Sequence, residues 1–135
     1  MFKLDERIES STVELGKMGI SRVLLSKDAN YPWVLLIPEI EGATEVHELS
    51  EEQQQDVTKS MTFVSTKMKE HFKADKMNVA NIGNIVSQLH IHVVARFEGD
   101  LAWPDPIWGH SPATAYEPQK FEDLCKNLKE VLELN

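Results

Sequence analysis

Two imidazoles and an amide alternate with apolar residues in the run Gln88-Leu89-His90-Ile91-His92. In a β-strand, successive side chains point to opposite faces, so Gln88, His90 and His92 are expected to share one face. Leu89 and Ile91 are expected on the other. Two histidines held side by side on a stiff backbone fill a core poorly, and the pattern therefore predicts a functional site.

The chemistry open to this pair is broad, because imidazole serves as nucleophile, general acid, general base or metal ligand near neutral pH. Residues two apart on a strand are separated by roughly 6 to 7 Å, so His90 and His92 can address one phosphate group or one metal ion. A hydrogen-bonded pair of structural histidines is the alternative. A metal site requires at least a third ligand, and no spacing selects one. The available candidates are Asp28, Glu39, Glu41 and His110.

The first third of the chain predicts a short helix and a β-hairpin. Residues 5–15 predict the helix, which two following glycines would end. The apolar segments 21–27 and 33–37 predict strands, and the turn residues 28–32 between them indicate that the two strands pair as a hairpin.

The rest of the chain predicts two amphipathic helices and two more strands. Ser50 followed by Gln53 is a capping-box pattern, and apolar residues then recur at helical spacing over a long segment. Residues 77–81 and 88–97 predict strands, and residues 118–133 predict a C-terminal helix. This order favours an α+β fold, an antiparallel sheet with the long helix and the C-terminal helix packed on it.

Composition narrows the class of protein. With 135 residues, 41% of them hydrophobic and 27% charged, the chain is typical of a single soluble domain. The net charge of -8 opposes binding to nucleic acid, yet a few N–H donors can still hold one mononucleotide. The single cysteine, Cys125, suits a reducing cytoplasm, and no segment predicts a leader or a membrane span. We therefore expect a cytoplasmic protein without nucleic-acid or membrane partners.

Four segments of the chain resemble the histidine triad (HIT) family. QLHIHVVAR is similar to the signature in which histidines alternate with apolar residues along a strand. MNVANIGN resembles the strand-to-turn segment that precedes this signature in the family. RVLLSKDANYPWVLLIP resembles the family's leading hairpin, and WPDPIWG resembles the Trp-Pro element that follows the triad in many members. The likeness covers about residues 20–109 and looks closest to a bacterial subgroup of HIT hydrolase-like proteins with Gln at the first triad position.

The resemblance implies nucleotidyl transfer. In this family the middle histidine, here His90, attacks the α-phosphorus of a bound nucleotide, and water then releases the nucleoside monophosphate from the nucleotidyl-histidine. His92 would donate to a phosphate oxygen as charge develops there. The implied substrates are nucleoside phosphoramidates or dinucleoside polyphosphates. The resemblance therefore implies a hydrolase similar to diadenosine polyphosphate hydrolases. The family also implies a homodimer, and no cofactor is required; a bound zinc or other divalent metal is not expected.

The resemblance also implies ligand contacts outside the triad. Asp28 lies where many members place an acidic residue near the ribose, although a turn aspartate that binds its own backbone is the alternative. Asn81 matches an asparagine that faces sugar and phosphate, and Gly83 would supply the following turn. Ser87 is the one hydroxyl close to the triad in sequence, and Trp103 would cover the site or reach a partner subunit.

Two departures from the family pattern bear on activity. Gln88 replaces the first histidine of the triad, so its amide cannot titrate. We expect it to keep an orienting role, in which its amide holds a ring or a phosphate oxygen and its carbonyl accepts a hydrogen bond from the nucleophile. Trp33 stands where many members carry another histidine. The alternative function is therefore a nucleotide-binding protein with little or no turnover.

Overall fold

A computed structural model describes residues 1–135 as three α-helices and five strands. In chain order they are α1 (Glu6–Ser11), β1 (Thr12–Met18), β2 (Ser21–Ser26), β3 (Trp33–Pro38), α2 (Glu51–Phe72), β4 (Lys76–Ala80), β5 (Ile91–Arg96) and α3 (Pro118–Val131). The strands form one antiparallel sheet in the order β1-β2-β3-β5-β4. The predicted α+β class is confirmed. No helix combines the length and the apolar character that crossing a bilayer requires.

The long helix α2 begins at the predicted capping box. The Gln53 backbone N–H donates to Ser50 Oγ at 3.2 Å, and the Ser50 N–H donates to Gln53 Oε1 at 2.9 Å. The reciprocal bonds satisfy two N–H groups that the first helical turn leaves free. Val57, Val64 and Met68 then bury one side of the helix against the sheet. The prediction of an amphipathic helix at this place is confirmed.

The two faces of the sheet are covered by different elements. On one face, α2 and α3 enclose the main core, in which Val93 of β5 and Leu128 of α3 are fully buried. On the other face, α1 and the residues before it pack on β2 and β3 through Ile8. Further along that face, Val94 of β5 lies in a small separate cluster with Ile107 from the loop after the sheet. His90 and His92 therefore lie on the face that α2 and α3 leave uncovered.

The prediction of a helix over residues 5–15 is wrong in its second half. Helix α1 ends at Ser11, and Thr12 begins β1, an edge strand that pairs with β2. The Thr12 hydroxyl donates to the Ile8 carbonyl at 2.8 Å and so satisfies an acceptor at the helix end. Gly16 lies at the bulge in β1, and Gly19 adopts φ +55° in the β1–β2 turn. The glycines thus shape a hairpin instead of ending a helix.

A buried ion pair fixes the loop that follows β5. The Arg96 guanidinium donates to Asp100 through Nε at 2.8 Å and Nη2 at 3.0 Å, and Nη1 donates to Asn78 Oδ1 at 2.7 Å. The Arg96 side chain is 2% exposed and its Cζ lies 5.6 Å from the ring centres of both Tyr31 and Trp103. Burial with this many partners makes the pair costly to break.

We expect Asp100→Asn to lower the free energy of unfolding by on the order of 3 kcal/mol, because it leaves the buried guanidinium without a counter-charge. Urea denaturation measures the change. Glu122→Gln is the matched control, because it breaks an exposed pair with Lys126 whose atoms lie 3.7 Å apart, and we expect it to cost less than about 1 kcal/mol. Equal losses for the two variants would contradict a structural role for the Arg96–Asp100 pair.

Candidate active site

The structure brings the rings of His90 and His92 together. Their centroids lie 4.7 Å apart with the ring planes at 78°, and each residue is 5% exposed. Strand β5 begins at Ile91 and not at Gln88, so the predicted strand over residues 88–97 is too long at its start. Leu89 is nevertheless anchored, because its N–H donates to the Ala43 carbonyl at 3.0 Å. The segment before β5 is therefore held by a hydrogen bond to the loop that contains Ala43, and not by pairing with a neighbouring strand.

The Gln88 backbone carbonyl selects the tautomer of the neutral His90 ring. His90 Nδ1 lies 2.6 Å from the Gln88 carbonyl oxygen. A carbonyl oxygen only accepts hydrogen bonds, so Nδ1 carries the proton of this contact. In the neutral ring Nε2 then holds the free electron pair. The ring nitrogen that is free to react is therefore Nε2.

His92 is enclosed by aromatic rings. Trp33 Nε1 donates to His92 Nδ1 at 3.1 Å, and the ring of Trp108 lies 5.2 Å from the imidazole centroid at 63°. Burial lowers the pKa of His92 to about 4, with help from charge on His90, and a hydrogen bond to the Ile82 backbone opposes this shift. The His92 imidazole is consequently neutral at pH 7.

The Gln88 side chain fastens the N-terminal segment. Its Nε2 donates to the Lys3 carbonyl at 2.7 Å, and its Oε1 accepts from the Asp5 N–H at 2.8 Å. Arg7 adds a second tie, since its Nη1 donates to the Ile85 carbonyl at 3.1 Å. The amide was expected to hold a ring or a phosphate oxygen, and the structure instead engages it with backbone. Only the backbone carbonyl of Gln88 orients the His90 ring.

The Asp28 carboxylate closes a turn. Its Oδ1 accepts from the Asn30 N–H at 3.0 Å and from the Thr114 N–H at 3.1 Å. These bonds tie the end of β2 to the segment before α3, and no hydrogen bond or ion pair joins Asp28 to either histidine. The structure thus contains the turn aspartate that was the alternative to a ribose ligand.

Asn81 directly follows β4, the strand that pairs with β5. Ala80 of β4 pairs with His92 in the ladder, and Asn81 follows it, exposed and without a side-chain hydrogen bond. A Cβ at Gly83 would approach the Val86 carbonyl oxygen to 3.2 Å. Glycine therefore lets the loop fold closely on itself, although its φ does not fall in the left-handed region.

Ser87 and Trp103 lie in different surroundings. Ser87 is exposed and borders a groove of about 750 Å³ between the N-terminal segment and residues 42–44, with Gln88 also in its wall. Trp103 packs on the buried Arg96 guanidinium, and its backbone N–H donates to Asp100 Oδ1 at 2.9 Å. Of the predicted ligand residues, Asn81 and Ser87 adjoin the histidine segment, whereas Asp28 and Trp103 are engaged in structural contacts.

The candidate metal ligands are dispersed, and no group of three His, Cys, Asp or Glu side chains converges as a metal site. Glu39 pairs with Lys17 at 2.9 Å, and Glu41 pairs with the N-terminal ammonium. His110 contacts the Ser111 hydroxyl at 2.6 Å.

Two residues in contact with His92, Trp33 and Trp108, were not among the predicted site residues. Trp33 opposes Val94 in the β3–β5 ladder and so shares the face of His92. Alternation along β3 would have shown this once the register was known. Trp108 comes from an irregular loop, and its spacing carried no signal of the contact.

The comparisons with known proteins agree with this architecture. A family model described as the HIT domain matches residues 7–99. A histidine triad protein from Marinobacter aquaeolei is 42% identical, with 98% of this chain and 97% of that chain covered and a TM-score of 0.96. A histidine triad protein from Bradyrhizobium japonicum is 39% identical, with 97% and 98% covered and a TM-score of 0.94.

A third solved structure, a histidine triad protein from Sinorhizobium meliloti, is 35% identical over 96% of each chain with a TM-score of 0.93. No curated protein matches the chain significantly. The family model covers more than half of the chain, and the sheet and the helices agree with the solved relatives. The chain belongs to the histidine triad (HIT) family.

Proposed function

We propose that this protein is a nucleotide hydrolase or nucleotidyl transferase that acts at the α-phosphorus of a nucleoside phosphoramidate or dinucleoside polyphosphate. The observation that carries the proposal is the 2.6 Å contact between His90 Nδ1 and the Gln88 carbonyl. It leaves Nε2 with a free electron pair on a ring that cannot rotate without losing the bond. A fixed imidazole nitrogen with a free electron pair is a competent nucleophile.

The reaction divides into two displacements at phosphorus. In the first, His90 Nε2 forms a P–N bond while the bond from phosphorus to the leaving group breaks, and the leaving group departs with the electron pair and takes up a proton from solvent. In the second, water forms a new P–O bond and releases a proton to solvent, and the P–N bond breaks with its electron pair returning to Nε2. The products are the nucleoside monophosphate, the free leaving group and His90 in its original form.

His92 would stabilise the phosphate during both displacements. Its ring lies 4.7 Å from that of His90, centroid to centroid, so both can contact one phosphate group. The lowered pKa of His92, about 4, keeps the ring neutral, and it therefore acts as a hydrogen-bond donor and not as a cation. Donors placed in a desolvated site stabilise developing charge more strongly than they would in water.

The nucleoside and the leaving group would lie on either side of this phosphate. Asn81 is exposed and follows Ala80, the residue that pairs with His92, and it is proposed to face the sugar, with Ser87 as a hydroxyl donor. A protein from Sulfolobus tokodaii described as a hypothetical histidine triad nucleotide-binding protein is 25% identical, which supports a nucleotide as ligand. We further propose a cytoplasmic homodimer that requires no cofactor.

A second candidate is a nucleotide-binding protein without turnover. Two observations favour this candidate. Both histidines of the pair are buried, each only 5% exposed. In addition, the glutamine at the first triad position cannot titrate. Tight binding of AMP by calorimetry, with no hydrolysis of adenosine 5′-phosphoramidate or a dinucleoside polyphosphate, would favour this candidate.

We expect His90→Ala to lower hydrolysis of adenosine 5′-phosphoramidate by at least about a thousandfold, because it removes the nucleophile. The rate is measured with a chelator present, and intact-mass spectrometry of quenched wild-type protein is expected to show a nucleotidyl adduct that the variant lacks. His71→Ala is the control, since His71 is an exposed histidine on α2. Full activity in His90→Ala would exclude covalent catalysis at this residue.

Gln88→Ala separates the backbone role of this residue from its side-chain role. We expect a fall in kcat of no more than about tenfold, because the carbonyl that orients His90 remains. Amide hydrogen exchange is expected to accelerate in residues 3–8, because the ties to Lys3 and Asp5 are lost. Gln88→Glu keeps the acceptor for the Asp5 N–H and should show a smaller effect. A loss of activity as large as that of His90→Ala would place the amide itself in the chemistry.

The pKa of His92 predicts a pH-dependent stability. The unfolded imidazole titrates near 6.5 and the folded one near 4, so between these values the folded state binds fewer protons. Stability therefore falls as the pH is lowered through this window. Between pH 7 and pH 5, wild type should lose about 2 kcal/mol more than His92→Asn, whose amide cannot titrate. Urea denaturation at both pH values measures the difference, and identical losses would show that His92 titrates normally.

A further inference from the structure

The hydrogen bond between Trp33 and His92 fixes where the imidazole proton lies. Trp33 Nε1 and His92 Nδ1 are 3.1 Å apart. An indole N–H donates and cannot accept, so Nδ1 of His92 must be the acceptor. A neutral imidazole that accepts at Nδ1 carries its hydrogen on Nε2. The contact also fixes the ring orientation, because a half-turn of the ring would place a C–H group against the indole.

The donor is itself held in place. Trp33 is the first residue of β3 and pairs with Val94 in the β3–β5 ladder. Its ring packs between the clusters that contain Leu35 and Tyr31, and its centroid lies 5.6 Å from that of His92. The indole N–H is therefore aimed by the sheet and not by a flexible loop.

The two histidines present opposite groups as a result. His90 is protonated on Nδ1 and has a free electron pair on Nε2. His92 has its acceptor pair engaged at Nδ1 and its hydrogen on Nε2. One ring thus carries a nucleophilic nitrogen, and the adjacent ring carries an N–H that the Ile82 backbone engages in the free protein and that a phosphate oxygen would take over. These are the two groups that displacement at a phosphate requires.

We propose that Trp33 is a positioning residue for this reaction and holds His92 as an Nε2–H donor toward the phosphate bound beside His90. The donation from His92 to a phosphate rests on the proposed function. The assigned tautomer of His92 is a property of the free protein. Without the indole N–H, Nδ1 would lose its donor and the ring could take up the opposite tautomer. His92 would then turn an electron pair toward the phosphate oxygens, which repels them.

Trp108 provides a matched comparison. Its ring also packs on His92, with centroids 5.2 Å apart, yet its Nε1 is buried without a hydrogen-bond partner. Trp33→Phe and Trp108→Phe each remove one indole N–H from the surroundings of the same imidazole. Only the first removes a bond to it. A difference between the two variants therefore reports the hydrogen bond and not aromatic packing.

The tautomer is read directly by long-range ¹H–¹⁵N correlation on ¹⁵N-labelled, ligand-free protein at pH 8, with the His92 signals assigned from His92→Asn. We expect the Nε2–H form in wild type and in Trp108→Phe, and a mixture with the Nδ1–H form in Trp33→Phe. A ¹⁵N–¹⁵N coupling across the hydrogen bond between Trp33 and His92 should be detectable in wild type. An Nδ1–H form of His92 in wild type, or the absence of that coupling, would overturn the proposal even if Trp33→Phe does not fold.

Kinetics with adenosine 5′-phosphoramidate test the consequence for the reaction. Trp33→Phe should lower kcat by about two- to tenfold, the factor that one hydrogen bond represents, with little change in KM. An unchanged kcat together with a changed tautomer would overturn the positioning role. If wild type hydrolyses neither the phosphoramidate nor a dinucleoside polyphosphate, the proposed function fails, while the spectra still decide whether Trp33 sets the tautomer.

Discussion

The enclosure of His92 in a dry, aromatic setting is the constraint on which the site depends. Removal from water disfavours the charged imidazole and brings its pKa to about 4. A buried neutral ring must still satisfy its polar atoms, and the indole of Trp33 does so at Nδ1. Because the sheet fixes both residues, burial and hydrogen bonding together determine charge, orientation and tautomer at once.

Two sets of polar contacts fix the segments that precede and follow the histidine pair in sequence. The amide of Gln88 binds the backbone of the N-terminal segment. Arg96 and Asp100 fix the loop after β5, and that loop carries Trp108 back against His92. Both sets use buried or partly buried polar groups, which are costly to leave unpaired and therefore hold a single arrangement. Residues outside the histidine pair thus hold the segments around it in place.

The sequence predicted those features that depend on local pattern. Alternation placed His90 and His92 on one face, and the Ser50 capping box located the start of α2. The helix over residues 5–15 was mispredicted because Thr12 begins an edge strand, and pairing with β2 outweighs local helical preference. The contacts of Trp33, Trp108 and the Gln88 amide depend on strand register and loop paths, which connect residues up to 85 apart in sequence.

Glutamine at the first triad position is compatible with the proposed catalysis because the group that orients His90 belongs to the backbone. The carbonyl of residue 88 accepts the hydrogen bond from His90 Nδ1, and every amino acid supplies that carbonyl. The side chain at this position is then free to take another task, and a glutamine can both donate to and accept from a peptide backbone. In this chain it uses both capacities on the N-terminal segment. The substitution removes a titratable ring from position 88. Neither of the proposed displacements requires a proton from the side chain at this position.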